Sequence, residues 1–352
     1  MNYILNKLLR CELTDEGLVL GTPGKDFIMI SDGIDEYLTF LNAFKDPTDY
    51  ETAYDIVNQQ NYVTPKQFDE IMDFSKENNI VKIAEEIIIE KDYSEYHAEK
   101  YSRQIQSFAS LPEIELSDAV KMQKKIQKSK VIIIGLGGTG GYLALSLAMM
   151  GVEKLVIVDK DDIELSNTAR QVLYDESDIG KSKIEVAEQK LKKFNKNLSV
   201  YKYEEYIMEA EDLSFLNEHA DADLIVLCAD TPRKTIQYII DEAAHSLSIP
   251  WFCYGPFQHS KVKIGPLIVP RETKSYREIY PTDIFKEDSR TESINENMQS
   301  AIIDPFNGLA SKIASIEVLK ILTNYKRVGI INKVIEVNTD DWTIEKRSIN
   351  DA

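Results

Sequence analysis

Cysteine is scarce in this chain, with three among 352 residues, Cys11, Cys228 and Cys253, and no CxxC pair. A disulfide framework of the kind that staples small secreted domains is thereby excluded. Basic residues are also outnumbered, 41 Lys and Arg against 59 Asp and Glu, for a formal net charge of -18. Proteins that hold nucleic acid by its phosphates show a basic face, so this balance argues against that class while leaving room for a local basic site. No run approaches the roughly 20 apolar residues of a membrane span. The stretch from Ile132 to Leu147 is cut by glycines and a threonine. No cleavable apolar segment opens the sequence, and a soluble, cytoplasmic protein is the expectation. What is present is bulk: 43% apolar residues over this length can bury a large core in two or three domains.

The first region, residues 1–85, opens with apolar runs at Leu18–Leu20 and Phe27–Ile30 around Gly21, Pro23 and Gly24, the pattern of a hairpin. Three short helices follow. Tyr37, Leu41 and Phe44 keep one face of the first. Thr48 and Glu51 read as a capping box before the second, and Thr64, Pro65 and Gln67 start a third carrying Phe68, Ile71 and Met72. A strand at Ile80–Ile83 closes a small α+β unit of winged-helix composition. DNA reading is disfavoured, because Asp69, Glu70, Asp73 and Glu77 outnumber Lys66 and Lys76 on the third helix. Peptide recognition, by a strand added to an exposed edge, suits this surface better. Residues 86–125 read as a charged linker and helical arm containing Arg103, and the main domain follows over 126–352.

Val131–Ile134 is a β-branched run followed at once by Gly135-Leu136-Gly137-Gly138-Thr139-Gly140-Gly141 and a helix from Tyr142 to Met150. Glycines let the backbone approach phosphates, and the helix N-terminus presents unpaired N–H groups to the same anion. A second strand, Leu155–Val158, ends in Asp159, placed to accept hydrogen bonds from ribose hydroxyls. This strand–turn–helix–strand unit predicts a nucleotide site in a Rossmann-like α/β sheet. By itself it fits an NAD dehydrogenase. The residues after it, Asp161, Ser166-Asn167, Arg170-Gln171 and Gly180-Lys181-Ser182-Lys183, supply more phosphate ligands than hydride transfer needs.

The order Asp159-x-Asp161-x5-Asn167-x2-Arg170-Gln171, then Gly180-x2-Lys183, then Cys228-Ala229-Asp230, resembles the ThiF/MoeB and ubiquitin-activating family of adenylating enzymes. Tyr101-Ser102-Arg103-Gln104-Ile105 is similar to the short element these enzymes carry ahead of the glycine loop. The resemblance covers about residues 98–345 and implies a mainly parallel sheet, a homodimer, and ATP and magnesium as ligands. It implies that Gly135, Gly137, Gly138 and Gly140 form the nucleotide loop with Asp161 beside it, and that Asp159 holds the ribose. Asn167, Arg170, Gln171 and Lys183 would contact the triphosphate, Asp230 would hold magnesium, and Arg103 would reach the ATP of the other subunit. Arg103, Arg170, Lys183 and Asp230 are the expected catalytic set. A small unit in front of an adenylating domain resembles the layout of family members that modify ribosomally made peptides. It implies adenylation of the C-terminal carboxylate of a short precursor peptide, as in microcin C-like antibiotic synthesis. The peptide would be held by the first domain and by a crossover loop at 256–300.

The departures are as specific. Many relatives hold a structural zinc on two CxxC pairs; here the cysteines stand apart and the four histidines are scattered, so no structural zinc is expected. Residues 260–352 contain no cysteine, against thioester transfer. Read as isolated residues, Cys228 and Cys253 are core packing, Asp230 is a cap for the segment after Thr231-Pro232, and Lys121, Lys124, Lys125, Lys128 and Lys130 form a solvated face. Helix Asn307–Leu322 reads as scaffold or dimer interface. Two other readings stay open: activation of a ubiquitin-like sulfur carrier, and a non-catalytic peptide-presenting scaffold.

Overall fold

A computed structural model describes residues 1–6, 8–21, 26–84, 93–111, 114, 116–257, 260–281 and 301–349. Two compact units divide the chain, Met1–Met122 and Gln123–Ala352. The first contains β1 (Asn2–Leu5), β2 (Arg10–Thr14), β3 (Gly17–Gly21), β4 (Ile28–Ile30), α1 (Ile34–Ala43), β5 (Thr48–Asp49), α2 (Tyr50–Asn61), α3 (Pro65–Glu77) and β6 (Val81–Ile83). After these come α4 (Glu95–Lys100) and α5 (Ser102–Ala109), and α6 (Leu116–Lys128) leads into the second unit.

Two three-stranded antiparallel sheets, ordered β5-β1-β6 and β2-β3-β4, frame the first core. The predicted hairpin is β3 against β4, with Leu18 opposite Ile30. Strands β1 and β2 lie outside the elements expected from the sequence, and β2 is exposed along its whole length. Helix α3 has the expected capping box, Thr64 with Gln67. The box expected at Thr48 and Glu51 is replaced one residue on: Asp49 is the N-cap of α2, and its side chain accepts from the Thr52 amide. Phe40, Phe44 and Phe68 are fully buried among Leu18, Leu20 and Met72. Phe68 meets the rings of Phe40, Tyr50 and Tyr54 at centroid distances of 5.5, 5.0 and 5.5 Å, edge-on or tilted geometries that add to area burial.

The second unit contains β7 (Lys130–Ile134), α7 (Gly138–Met150), β8 (Lys154–Val158), α8 (Lys183–Phe194), β9 (Ser199–Tyr203), β10 (Leu224–Leu227), α9 (Ile236–Leu247), β11 (Trp251–Phe257) and β12 (Lys261–Ile264). Helices α10 (Tyr276–Ile279) and α11 (Asp304–Thr323) and strands β13 (Lys333–Asn338) and β14 (Thr343–Ser348) complete it. One eight-stranded sheet runs β14-β13-β12-β11-β10-β7-β8-β9. Strands β11, β10, β7, β8 and β9 are parallel, and β11 to β14 continue antiparallel. This is the α/β, mainly parallel sheet expected from the sequence. Continuous apolar runs such as β7 fit a central strand covered on both faces. Strand β7 lies between β8 and β10, where the order reverses, and ligands bind outside the carboxyl ends of strands at such a point. No described helix is long and apolar enough to cross a membrane.

Phe68→Ala is expected to cost the first unit about 3–5 kcal/mol. Hydrogen exchange should show the loss across α1 to α3 while β7, β8 and β10 stay protected; a loss below about 1 kcal/mol would mean that Phe68 does not anchor this core.

Candidate functional site

The glycine segment is tighter than its sequence implies. Helix α7 begins at Gly138 with Gly137 as its N-cap, so three of the glycines lie inside its first turn rather than in a loop before Tyr142. Gly135 takes φ +93°, and a Cβ there would sit 2.8 Å from the Ala229 amide nitrogen. A Cβ on Gly140 would lie 1.8 Å from the Gly135 carbonyl oxygen, and one on Gly138 2.3 Å from Asn307 Nδ2. Gly137 has more space, its nearest neighbour being Gln171 Nε2 at 3.9 Å. Gly140 therefore brings helix and strand together, and Gly137 leaves room beside the helix N-terminus.

Asp159 ends β8 and ties this turn to the next loop. Its Oδ2 accepts from the Leu136 amide at 2.6 Å and its Oδ1 from the Asp161 amide at 2.9 Å. Lys183, 5% exposed, places Nζ 2.8 Å from Asp161 Oδ2 and 3.8 Å from Asp159 Oδ1. Burial raises the Asp159 carboxyl above its ordinary range despite the Lys183 charge and the two amides. At Asp161 burial pushes the same way, but the Lys183 hydrogen bond and the charges of Lys183 and Lys160 prevail and lower it.

Asn167 is buried on the short 3-10 turn Leu165–Asn167 and accepts from the Glu164 amide at 3.1 Å. Arg170 donates to the Ser166 carbonyl, and the Arg170 carbonyl accepts from Asn307 Nδ2 at 3.1 Å. Gln171 is 6% exposed, and its Oε1 has no hydrogen-bond partner. Asp230 follows β10 and is exposed.

Gly135, Gly137, Gly138, Asp159, Asp161, Asn167, Arg170, Gln171, Lys183 and Asp230 border one cavity of about 1500 Å³. Two candidates are not in its wall. Gly140 lies beneath the turn, and Arg103 is exposed on α5 in the first unit. Among the lining residues that sequence reading missed are Asn307, Arg233, Lys263, Glu336 and Arg347. Asn307 was hidden by the amphipathic spacing of its helix, and the others carry no motif. Cys228 and Cys253 also border the cavity instead of being packing alone. Desolvation pushes their thiols up, to about 12 and about 11, so neither is a ready nucleophile. Lys130 leaves the expected solvated face: it is 8% exposed and paired with Asp221. Of the crossover loop, Gln258, His259 and residues 282–300 lie outside the described residues, as do Pro23 and Gly24 of the hairpin turn.

These residues fit a nucleotide. Glycines leave a cradle that side chains would fill, Gln171 holds an orphaned acceptor, and Arg170 and Lys183 supply charge for phosphates. Asp230 is an exposed carboxylate in the cavity wall, the kind of ligand magnesium takes. Among the described residues no group of three or more His, Cys, Asp and Glu is placed to hold a metal.

Residues 101–351 match the ThiF family. The chain is similar to the sulfur carrier protein ThiS adenylyltransferase of Escherichia coli, 29% identical over 247 residues, which are 69% of this chain and 88% of that protein. It is also similar to the adenylyltransferase and sulfurtransferase UBA4 of Vanderwaltozyma polyspora, 28% identical over 59% of this chain. The match spans 45% of UBA4, so the chain covers about half the length of such relatives. Among solved structures, E. coli MccB with AMPCPP and MccA superposes with a TM-score of 0.75 at 26% identity, over 99% of this chain and 97% of MccB. MccB, described as the microcin C7 biosynthetic enzyme, in complex with N-formylated MccA gives 0.76 at 25% identity over the same shares.

Gly140→Ala is expected to cost about 3 kcal/mol, the upper end of overpacking, and Gly137→Ala under about 1 kcal/mol. Thermal unfolding compares the two; equal losses would contradict the close approach at Gly140. Because the folded Asp159 carboxyl is raised, its ionised form is disfavoured, and stability falls as pH rises from the ordinary aspartate range near 4 through the raised value. Wild type should therefore lose stability relative to Asp159→Asn over that interval, and a difference constant with pH would refute the assignment.

Proposed function

The chain belongs to the ThiF family, and from that premise we propose that it is an ATP- and magnesium-dependent adenylyltransferase. Its substrate in this reading is the C-terminal carboxylate of a ribosomally made precursor peptide, with pyrophosphate as the second product. The observation that carries the peptide is coverage. The MccB structure superposes over 99% of the chain, first unit included, whereas the ThiF family model is matched only from residue 101 on.

In the proposed reaction a carboxylate oxygen of the peptide attacks the α-phosphorus, a new P–O bond forms, and the bond to the pyrophosphate oxygen breaks. Arg170, Lys183 and Asn167 hold the triphosphate and meet the negative charge that grows on it. Asp159 positions the ribose, the glycine turn and the start of α7 lie against the phosphates, and Asp161 keeps the Lys183 ammonium in place. Asp230 would hold magnesium, which would supply charge neutralisation at the triphosphate.

The first unit is the proposed peptide holder. Its exposed edge strand β2 can accept an added strand. Met149 on α7 and Ile316 on α11 are about half exposed on helices that pack together, which supports a homodimer face. Arg103 then serves the ATP of the partner subunit. A specific observation favours a second reading: the ThiS adenylyltransferase is matched over 88% of its own length, so a sulfur carrier is the alternative substrate.

ATP–pyrophosphate exchange with short peptides and with carrier proteins ending in Gly-Gly separates the two. Peptide-dependent exchange supports the proposal, and exchange with carriers alone overturns it. Asp230→Ala should abolish exchange, and Arg170→Ala should lower it about 10²–10³-fold. Arg103→Ala and Asp230→Ala should each be inactive alone, and mixing them should restore activity in heterodimers. Failure of mixing to restore activity, with subunit exchange verified by mass, would mean that Arg103 does not act across the dimer.

A further inference from the structure

The antiparallel end of the large sheet has two unlike faces. Val262, Ile264, Ile335 and Val337 are buried on the face that packs against α11. On the opposite pleat Lys263 pairs across to Glu336, Glu336 to Glu345, and Lys261 and Arg347 follow in the alternate positions. Lys263, Glu336 and Arg347 border the same cavity as Asp159 and Asp230, so this polar face forms a second wall of the candidate nucleotide site.

The charge on that wall is uneven. Glu336 is 5% exposed, and the hydrogen bond from Lys261 at 2.9 Å, aided by the charges of Arg347, Lys261 and Lys263, outweighs burial and lowers its carboxyl. Arg347 is already engaged, with Nε and Nη2 at 3.1 and 2.8 Å from Glu345 Oε2. Lys263 is less well matched: its Nζ is 3.7 Å from Glu336 Oε2 and lies 3.8 Å from the centre of the Phe257 ring. Lys261 is shared with Asp341 away from the cavity, and in the lining itself Lys263 and Arg347 stand against the single carboxylate of Glu336. The whole cavity wall is balanced, seven Lys and Arg against seven Asp and Glu, in a chain whose net charge is -18. Relative to the rest of the protein, the cavity attracts anions.

We propose that Lys263, with Arg347 beside it, binds a side-chain carboxylate in the last few residues of the peptide, so that the preferred substrate carries Asp or Glu close to its reacting C-terminus. This rests on the peptide reading above. An ammonium pre-placed over an aromatic ring and short of a close partner gains a charge-assisted bond when a carboxylate arrives. A lysine or arginine of the substrate would meet the surplus positive charge and be rejected.

The test uses the full-length protein with magnesium and α,β-methylene ATP, and hexapeptides with a free C-terminal carboxylate, randomised at their last four positions. Retained peptides are identified by mass spectrometry. Wild type should enrich Asp or Glu over Gln by about tenfold at one position, the effect of one charge-assisted hydrogen bond. Lys263→Gln should abolish that preference with the ATP-induced thermal shift retained, and Lys263→Glu should reverse it toward Lys or Arg. Absence of acidic enrichment in wild type, including failure to retain any peptide, overturns the proposal. So does enrichment that survives in either variant, or loss of the ATP shift in Lys263→Gln, which would put Lys263 on the triphosphate instead. Pyrophosphate exchange with the retained pool reads the underlying reaction separately: acidic selection without exchange would keep this site and reject adenylation.

Discussion

The Asp159 carboxylate is the constraint on which the candidate site depends. One oxygen takes the Leu136 amide within the glycine turn, and the other takes the Asp161 amide of the next loop. Two loops that follow neighbouring strands are thereby pinned by one buried side chain. Lys183 closes the arrangement from a third element, α8. A carboxylate in this position is costly, as its raised titration shows, and the two amides and the ammonium make it tolerable. The same group remains in the cavity wall, where a ribose would take its remaining lone pairs.

Close packing sets the rest. Gly140 lets α7 meet the carbonyl that ends β7, and Gly138 lets Asn307 of α11 approach the start of α7. Asn307 then reaches the Arg170 carbonyl, so α11 holds an arginine proposed to meet phosphate. A helix that serves as scaffold along most of its length is part of the site at its first turn.

The proposed function joins two chemistries in one cavity. One wall, the parallel strands with the glycine turn, has what a triphosphate needs. The other, the antiparallel strands β12 to β14, is built around a buried carboxylate ringed by cations. In the proposed reaction nucleotide and carboxylate substrate must meet at the α-phosphorus in one orientation, and a single cavity with both walls allows that.

By itself the sequence determined the strand–turn–helix, the acidic residue after the second strand, the cations beyond it and the family. Those features depend on spacing along the chain, where backbone conformation and local hydrogen bonding act. The capping box at Thr64 was legible for the same reason, whereas at Thr48 the cap falls one residue later, on Asp49. Only the tertiary structure decided the start of α7 at Gly138, the inward position of Lys130, the place of both cysteines at the cavity and the role of Asn307. It alone brought Lys263, Glu336 and Arg347 together from three strands. Residues distant in sequence become neighbours through strand pairing and helix packing, and no periodicity within a segment records which distant segment will cover it.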